Sequence, residues 1–153
     1  MRLALAGLAI CAAGLAACSP GLPEGVDEAK VHNEISSAIG DPNTCVLIGQ
    51  QGTGKVVYRY NSHTTCGRSL PACQGAAAQT VDDLLKATAQ DRQPRATSCN
   101  STADGSRGVG WASGVLTGKG QGLVYAAVME GERSFPGRMM SDRLSRALQD
   151  AGL

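Results

Sequence analysis

Two stretches of this chain each spell strand, glycine-rich turn, strand, and this constrains the fold more than any other feature. The later one is the clearer: "VGWASGVL" (109–116) and "GLVYAAVME" (122–130) are joined only by "TGKGQ". The earlier one runs "CVLIGQ", a glycine turn and "KVVYRY" across residues 45–60. Strands joined this tightly must be antiparallel, because a parallel neighbour needs a crossover of a dozen or more residues. A further short strand is expected around Ala96–Asn100.

Three helical patterns punctuate these strands. In "EAKVHNEISSAIGDP", Val31, Ile35, Ala38 and Ile39 fall on one helical face, and Gly40 and Pro42 supply the stop. His32 lies off that stripe, on the solvated side. Thr80 opens "TVDDLLKATAQ" with Asp83 three residues on, in capping-box position. Asp82 and Asp83 thereby read as first-turn acids favoured by the helix dipole. The closing "PGRMMSDRLSRALQDAGL" puts Met140, Leu144, Ala147, Leu148 and Ala151 on one side. The expected architecture is an α+β domain, an antiparallel sheet of about five strands with an N-terminal, a middle and a C-terminal helix packed on it. The stretch between the first hairpin and the middle helix, "NSHTTCGRSLPACQGAAAQ", reads as irregular.

The N-terminus specifies a destination. "MRLALAGLAICAAGLAACSP" carries Arg2 and then an apolar or small run from Leu3 to Ala17. That run is too short to span a bilayer, which takes about 20 apolar residues, and has the layout of an export signal. Its end, "LAAC" (Leu15–Cys18), resembles the lipobox of bacterial lipoproteins. The resemblance implies cleavage before Cys18, lipid on its thiol and acylation of the new amino terminus. Ser19 in place of Asp implies the outer membrane, facing the periplasm. The expected organisation is a signal peptide over 1–17, a lipidated Cys18 with a flexible tether over 18–27, and a single domain over 28–153. Extended, "SPGLPEGVD" would reach roughly 30 Å.

Export makes the cysteines informative. Cys45, Cys66, Cys73 and Cys99 remain after Cys11 leaves with the signal and Cys18 takes lipid. Four thiols in an oxidising compartment read as two disulfides. Three connectivities exist. The short loop around Pro71 favours Cys66–Cys73, which leaves Cys45 for Cys99. A zinc site lacks a C-x-x-C pair and has only His63 near by.

Several residue groups have the spacing of a site without the partners its chemistry needs. Gly49, Gly54 and Lys55 have phosphate-loop spacing, but Val56 stands where a magnesium-holding Ser or Thr is needed, and a strand follows where a helix should. No nucleotide or other cofactor is expected. Loss of Arg2 from the 14 basic residues leaves 13 against 13 acidic ones, which offers no footprint for nucleic acid. His63, Cys66 and Ser69 share a loop, and a small cell-wall-acting hydrolase or transferase using Ser69 or His63 is the alternative to a binding module. Yet no serine sits in a Gly-x-Ser-x-Gly elbow. Glu130 and Glu132 read as a solvated strand end, Arg138 with Asp142 as a surface pair, and Trp111 as core. Arg133, Arg138, Arg143 and Arg146 could form a partner-facing stripe.

"TCVLIGQQGTGKVVYRYNSHTT" is similar to the first hairpin of class A β-lactamases and penicillin-binding transpeptidases. "RGVGWASGVL", "GLVYAAVMEGE" and the closing helix resemble the last strands and helix of that fold. The resemblance implies the sheet of such a protein without its chemistry. No serine has lysine three residues on, no Lys-Thr-Gly precedes the Trp111 strand, and too few residues remain for the large helical subdomain. No catalytic residue carries over. The functional expectation is a lipid-anchored, non-enzymatic envelope lipoprotein that binds a protein or envelope component, or serves a structural role.

Overall fold

The computed structural model describes residues 21–75 and 77–153. The expected signal peptide and the lipidation expected at Cys18 lie outside the described residues. In chain order the elements are α1 (Glu28–Ile39), β1 (Thr44–Gln50), β2 (Val56–Tyr60), a one-turn α2 (His63–Cys66), β3 (Leu70–Pro71), β4 (Ala78–Gln79), α3 (Val81–Asp91), β5 (Arg95–Asn100), β6 (Gly108–Val115), β7 (Leu123–Gly131) and α4 (Gly137–Asp150). The fold is α+β. Five strands form one antiparallel sheet in the order β2-β1-β7-β6-β5, and β3 and β4 pair as a small separate ribbon. The stretch expected to be irregular thus contains α2 and this ribbon.

The sheet is covered on both faces, and the two-residue period of its strands sorts the side chains. Val46 and Ile48 of β1, with Tyr125, Ala127 and Met129 of β7, meet the apolar stripes of α1 and α4. Cys45 and Leu47, with Val124, Ala126 and Val128, meet Val81, Leu84, Leu85 and Ala89 of α3. That is why β1 and β7, at the centre, read as near-continuous apolar runs. Trp111 is 1% exposed and fills the α3 side.

Local signals explain the element ends. The Thr80 side chain caps the backbone of Asp83 while the Asp83 carboxylate accepts from the Thr80 amide, so α3 begins with a complete capping box. Its acids divide the work: Asp83 closes the box and Asp82 pairs with Lys86. α1 starts at Asp27, whose carboxylate accepts from the amide of Ala29. Between β1 and β2 the chain turns through Gly52 (φ +81°) and Gly54 (φ +69°). The Gln50 amide bonds the Lys55 carbonyl across that turn. The residues with phosphate-loop spacing are therefore a hairpin, with strand β2 directly after Lys55.

The chain orders itself earlier than the sequence suggests. Leu22 and Val26, inside the stretch read as tether, pack against the core formed by α1, α4 and the sheet. Turn residues link them, the Val26 amide donating to the Pro23 carbonyl at 3.1 Å. No helix among the described residues is long and apolar enough to cross a membrane.

Candidate functional site

All four cysteines are bridged, but not in the expected pairs. Cys45 joins Cys66, and Cys73 joins Cys99. The physical reason lies in α2 and the residues after it. Cys66 closes a helical turn that faces the sheet at β1, whereas Cys73 lies beyond β3, beside the edge strand β5. The shortest loop in sequence is thus not the shortest path in space. All four thiols being taken, none is left as a metal ligand, and among the described residues no group of three or more His, Cys, Asp or Glu is placed to hold a metal.

Between these bridges lies a loop fastened at several points. Cys66 ties its start to β1 and Cys73 its end to β5. In the middle, the Arg68 guanidinium reaches Glu130 of β7 at 2.9 Å. The Trp111 indole N–H of β6 donates to the Pro71 carbonyl at 2.8 Å. One short loop is therefore held by four different strands. Gly67 and Ser69 remain exposed on its outer side.

Glu130 is the hub, and here the expectation of a solvated strand end fails. The residue is 3% exposed. Its row on β7 is Val124, Ala126, Val128, Glu130, so the two-residue period carries the carboxylate onto the covered face, under the loop. One oxygen (Oε1) accepts from Ser101 Oγ and Arg107 Nε, both at 2.8 Å. The other (Oε2) accepts from Arg68 Nη2 and Arg107 Nη2, both at 2.9 Å. Arg107 thus grips the carboxylate with two parallel bonds, the stronger and more directional arrangement. The Arg107 guanidinium, helped by Ser101 and Arg68, holds the Glu130 carboxyl down at about 2 against the opposing effect of burial. A carboxylate so acidic, with four donors on it, is a poor general base. Its work is to bind α2's loop and the β5–β6 loop to the end of β7.

Beside this hub a cavity of about 310 Å³ opens between Asp41, Asn43, Arg107, Glu130 and the segment Gly131–Ser134. Glu132 and Arg133 on its rim are exposed. The α1–β1 connection that forms the opposite wall is clamped by Asn61. That residue sits at φ +78° and donates its side-chain amide to the carbonyls of Pro42 and Thr44, at 3.1 and 2.9 Å. Asn tolerates the left-handed region better than other side chains with a Cβ.

The residues considered for nucleophilic chemistry are not assembled. Cys66 is oxidised, and His63 and Ser69 are both exposed. Of the four arginines of the expected stripe, Arg143 and Arg146 line one groove beside Glu34 and Ala38 of α1. Arg143 lies 4.6 Å over the Phe135 ring and donates to the Ala38 carbonyl, tying α4 to α1. The expected Arg138–Asp142 pair is not among the ion pairs of the described residues, which join Arg68 and Arg107 to Glu130, Lys86 to Asp82, and Arg95 to Asp91. His32, off the apolar stripe, faces outward and leans on the Tyr60 ring with centroids 5.0 Å apart.

Compared with known proteins, the chain matches no family model, no curated protein and no solved structure.

Proposed function

We propose that this chain is a lipid-anchored, non-enzymatic module of the bacterial envelope, held through Cys18 at the outer membrane and facing the periplasm. It binds a protein or cell-wall component through the loop between Cys66 and Cys73. The observation that carries this reading is the fastening of that loop to four strands. Binding surfaces gain affinity from being rigid before the partner arrives, since less ordering entropy is lost on association. In the same loop the Cys66 thiol is oxidised and Ser69 is exposed, whereas acyl transfer needs a nucleophile paired with a base.

The test has two arms. Crosslinking in intact envelopes, followed by recovery of the lipidated protein, should capture a specific component that is lost with Ser69→Trp and kept with Ala103→Trp. A fluorescent penicillin should leave no covalent label. Label that disappears with Ser69→Ala would replace this reading with the hydrolase or transferase alternative.

A further inference from the structure

The long axis of the sheet has two distinct ends. At one lie the β1–β2 turn, the β6–β7 connection with its 3-10 turn Gly118–Gly120, and the C-terminus, where a Cβ on Gly120 would come within 3.3 Å of the Leu153 backbone. At the other lie Glu130, Arg107, Asn61 and the fastened loop. α1 must start at the first end, because its last residue, Ile39, leads into β1 at the second, where Thr44 Oγ1 donates to the Ile39 carbonyl. The N-terminal segment therefore enters at the turn end. Gly25 confirms the placement: a Cβ there would come within 4.0 Å of Lys119 Nζ, in the β6–β7 connection.

We propose that this turn end is a membrane-facing surface, seated on the headgroups of the bilayer that holds the lipid, with the Glu130 end pointing away. The inference rests on the reading of Cys18 as the lipidated residue. Given that, only residues 18–20 separate the acyl chains from Gly21, a reach of about 10 Å when fully extended. Just beyond Gly21, Leu22 and Val26 are packed on the domain. The far end of β7 lies roughly 25 Å along the strand from the near one, so the short link cannot bring the Glu130 end to the surface in place of the turn end. The exposed charges at the turn end include both signs: Lys55, Arg92 and Lys119, with Glu24 and Asp150. The docked N-terminal segment, and not headgroup charge, sets the orientation. It should be the same on phosphatidylcholine vesicles with or without phosphatidylglycerol.

The experiment uses the full lipidated protein in such vesicles, with a small fluorophore introduced at Gln121 in one sample and at Ala103 in another. Both sites are exposed, and they lie at opposite ends. Flotation comes first: a chain that does not rise with the vesicles sinks the anchor reading and the orientation together. For a chain that floats, a headgroup-attached quencher should dim the Gln121 probe several-fold more than the Ala103 probe. Inserting about twenty Gly/Ser residues after Pro20 should erase that difference, as should Leu22→Ser with Val26→Ser. Equal quenching in the unaltered chain, or stronger quenching at Ala103, overturns the orientation and leaves the anchor standing.

Discussion

Glu130 carries one charge into a covered face and is met there by two guanidiniums and a hydroxyl. Its displacement from 4.5 to about 2 corresponds to about 3 kcal/mol of stability at neutral pH. Arg68 and Arg107 are 37% and 36% exposed, and solvent screening of such partners lowers the figure to about 2 kcal/mol. Because the folded-state value is depressed, this stabilisation is complete above about pH 5, fades as pH falls through 4.5 toward 2, and is gone below that. Glu130→Gln should therefore cost about 2 kcal/mol in urea unfolding at pH 7. Its stability should also fall less than the parent's between pH 5 and pH 2; parallel curves would deny the carboxylate this role. The signal for Glu130 was present in the alternation of Val124, Ala126 and Val128, but the carboxylate's burial depends on partners from two distant loops that no local pattern reveals. Gly137 makes a second case. A Cβ there would lie 2.3 Å from the Thr97 carbonyl oxygen and 2.4 Å from that of Trp111, so the start of α4 rests directly on strand backbone. Alanine is the better helix former by about 1 kcal/mol, yet the overlap costs about 1–3 kcal/mol or more. Gly137→Ala should lower the melting temperature, and a rise would mean that α4 can lift off the sheet without penalty.

The long elements were legible because each depends on a pattern within itself. The stripe Val31, Ile35, Ile39 of α1 is buried as its spacing requires. The Thr80–Asp83 box starts α3 where the residues say, and Thr80→Ala should destabilise the fold by about 1 kcal/mol, seen in equilibrium unfolding. α2 and the β3–β4 ribbon were not legible. With four residues in α2 and two in each of β3 and β4, neither has enough length for a period, and both are held by bonds to the rest of the molecule. The disulfide pairing escaped for the same reason, since α2 turns Cys66 toward β1 and away from Cys73. Peptide mapping without reduction should recover Cys45 with Cys66 and Cys73 with Cys99. The bridges span 21 and 26 residues, so removing either pair should cost about 3 kcal/mol. Loss of Cys73–Cys99 should also speed amide exchange across residues 67–79, and unchanged exchange would show that Arg68 and Trp111 hold the loop unaided.

At the scale of the whole molecule, topology decides when this protein can exist. The Cys18→Ser chain should leave the detergent phase, and retention there would argue for another anchor. The strand that follows α1 and the last strand of the chain are neighbours at the middle of the sheet, with Thr44 opposite Met129 and Gln50 opposite Leu123. β1 has β2 on one side only until β7 arrives, and the α1–α4 layer cannot close before the C-terminal helix is made. Such pairing between distant parts of a sequence is entropically slow to form. A partly synthesised chain therefore lacks the central strand of the sheet and the helix that closes the α1–α4 layer. The final thirty or so residues, which bring β7 and α4, thus trigger the change from coil to native domain, a delay that would suit the export proposed above.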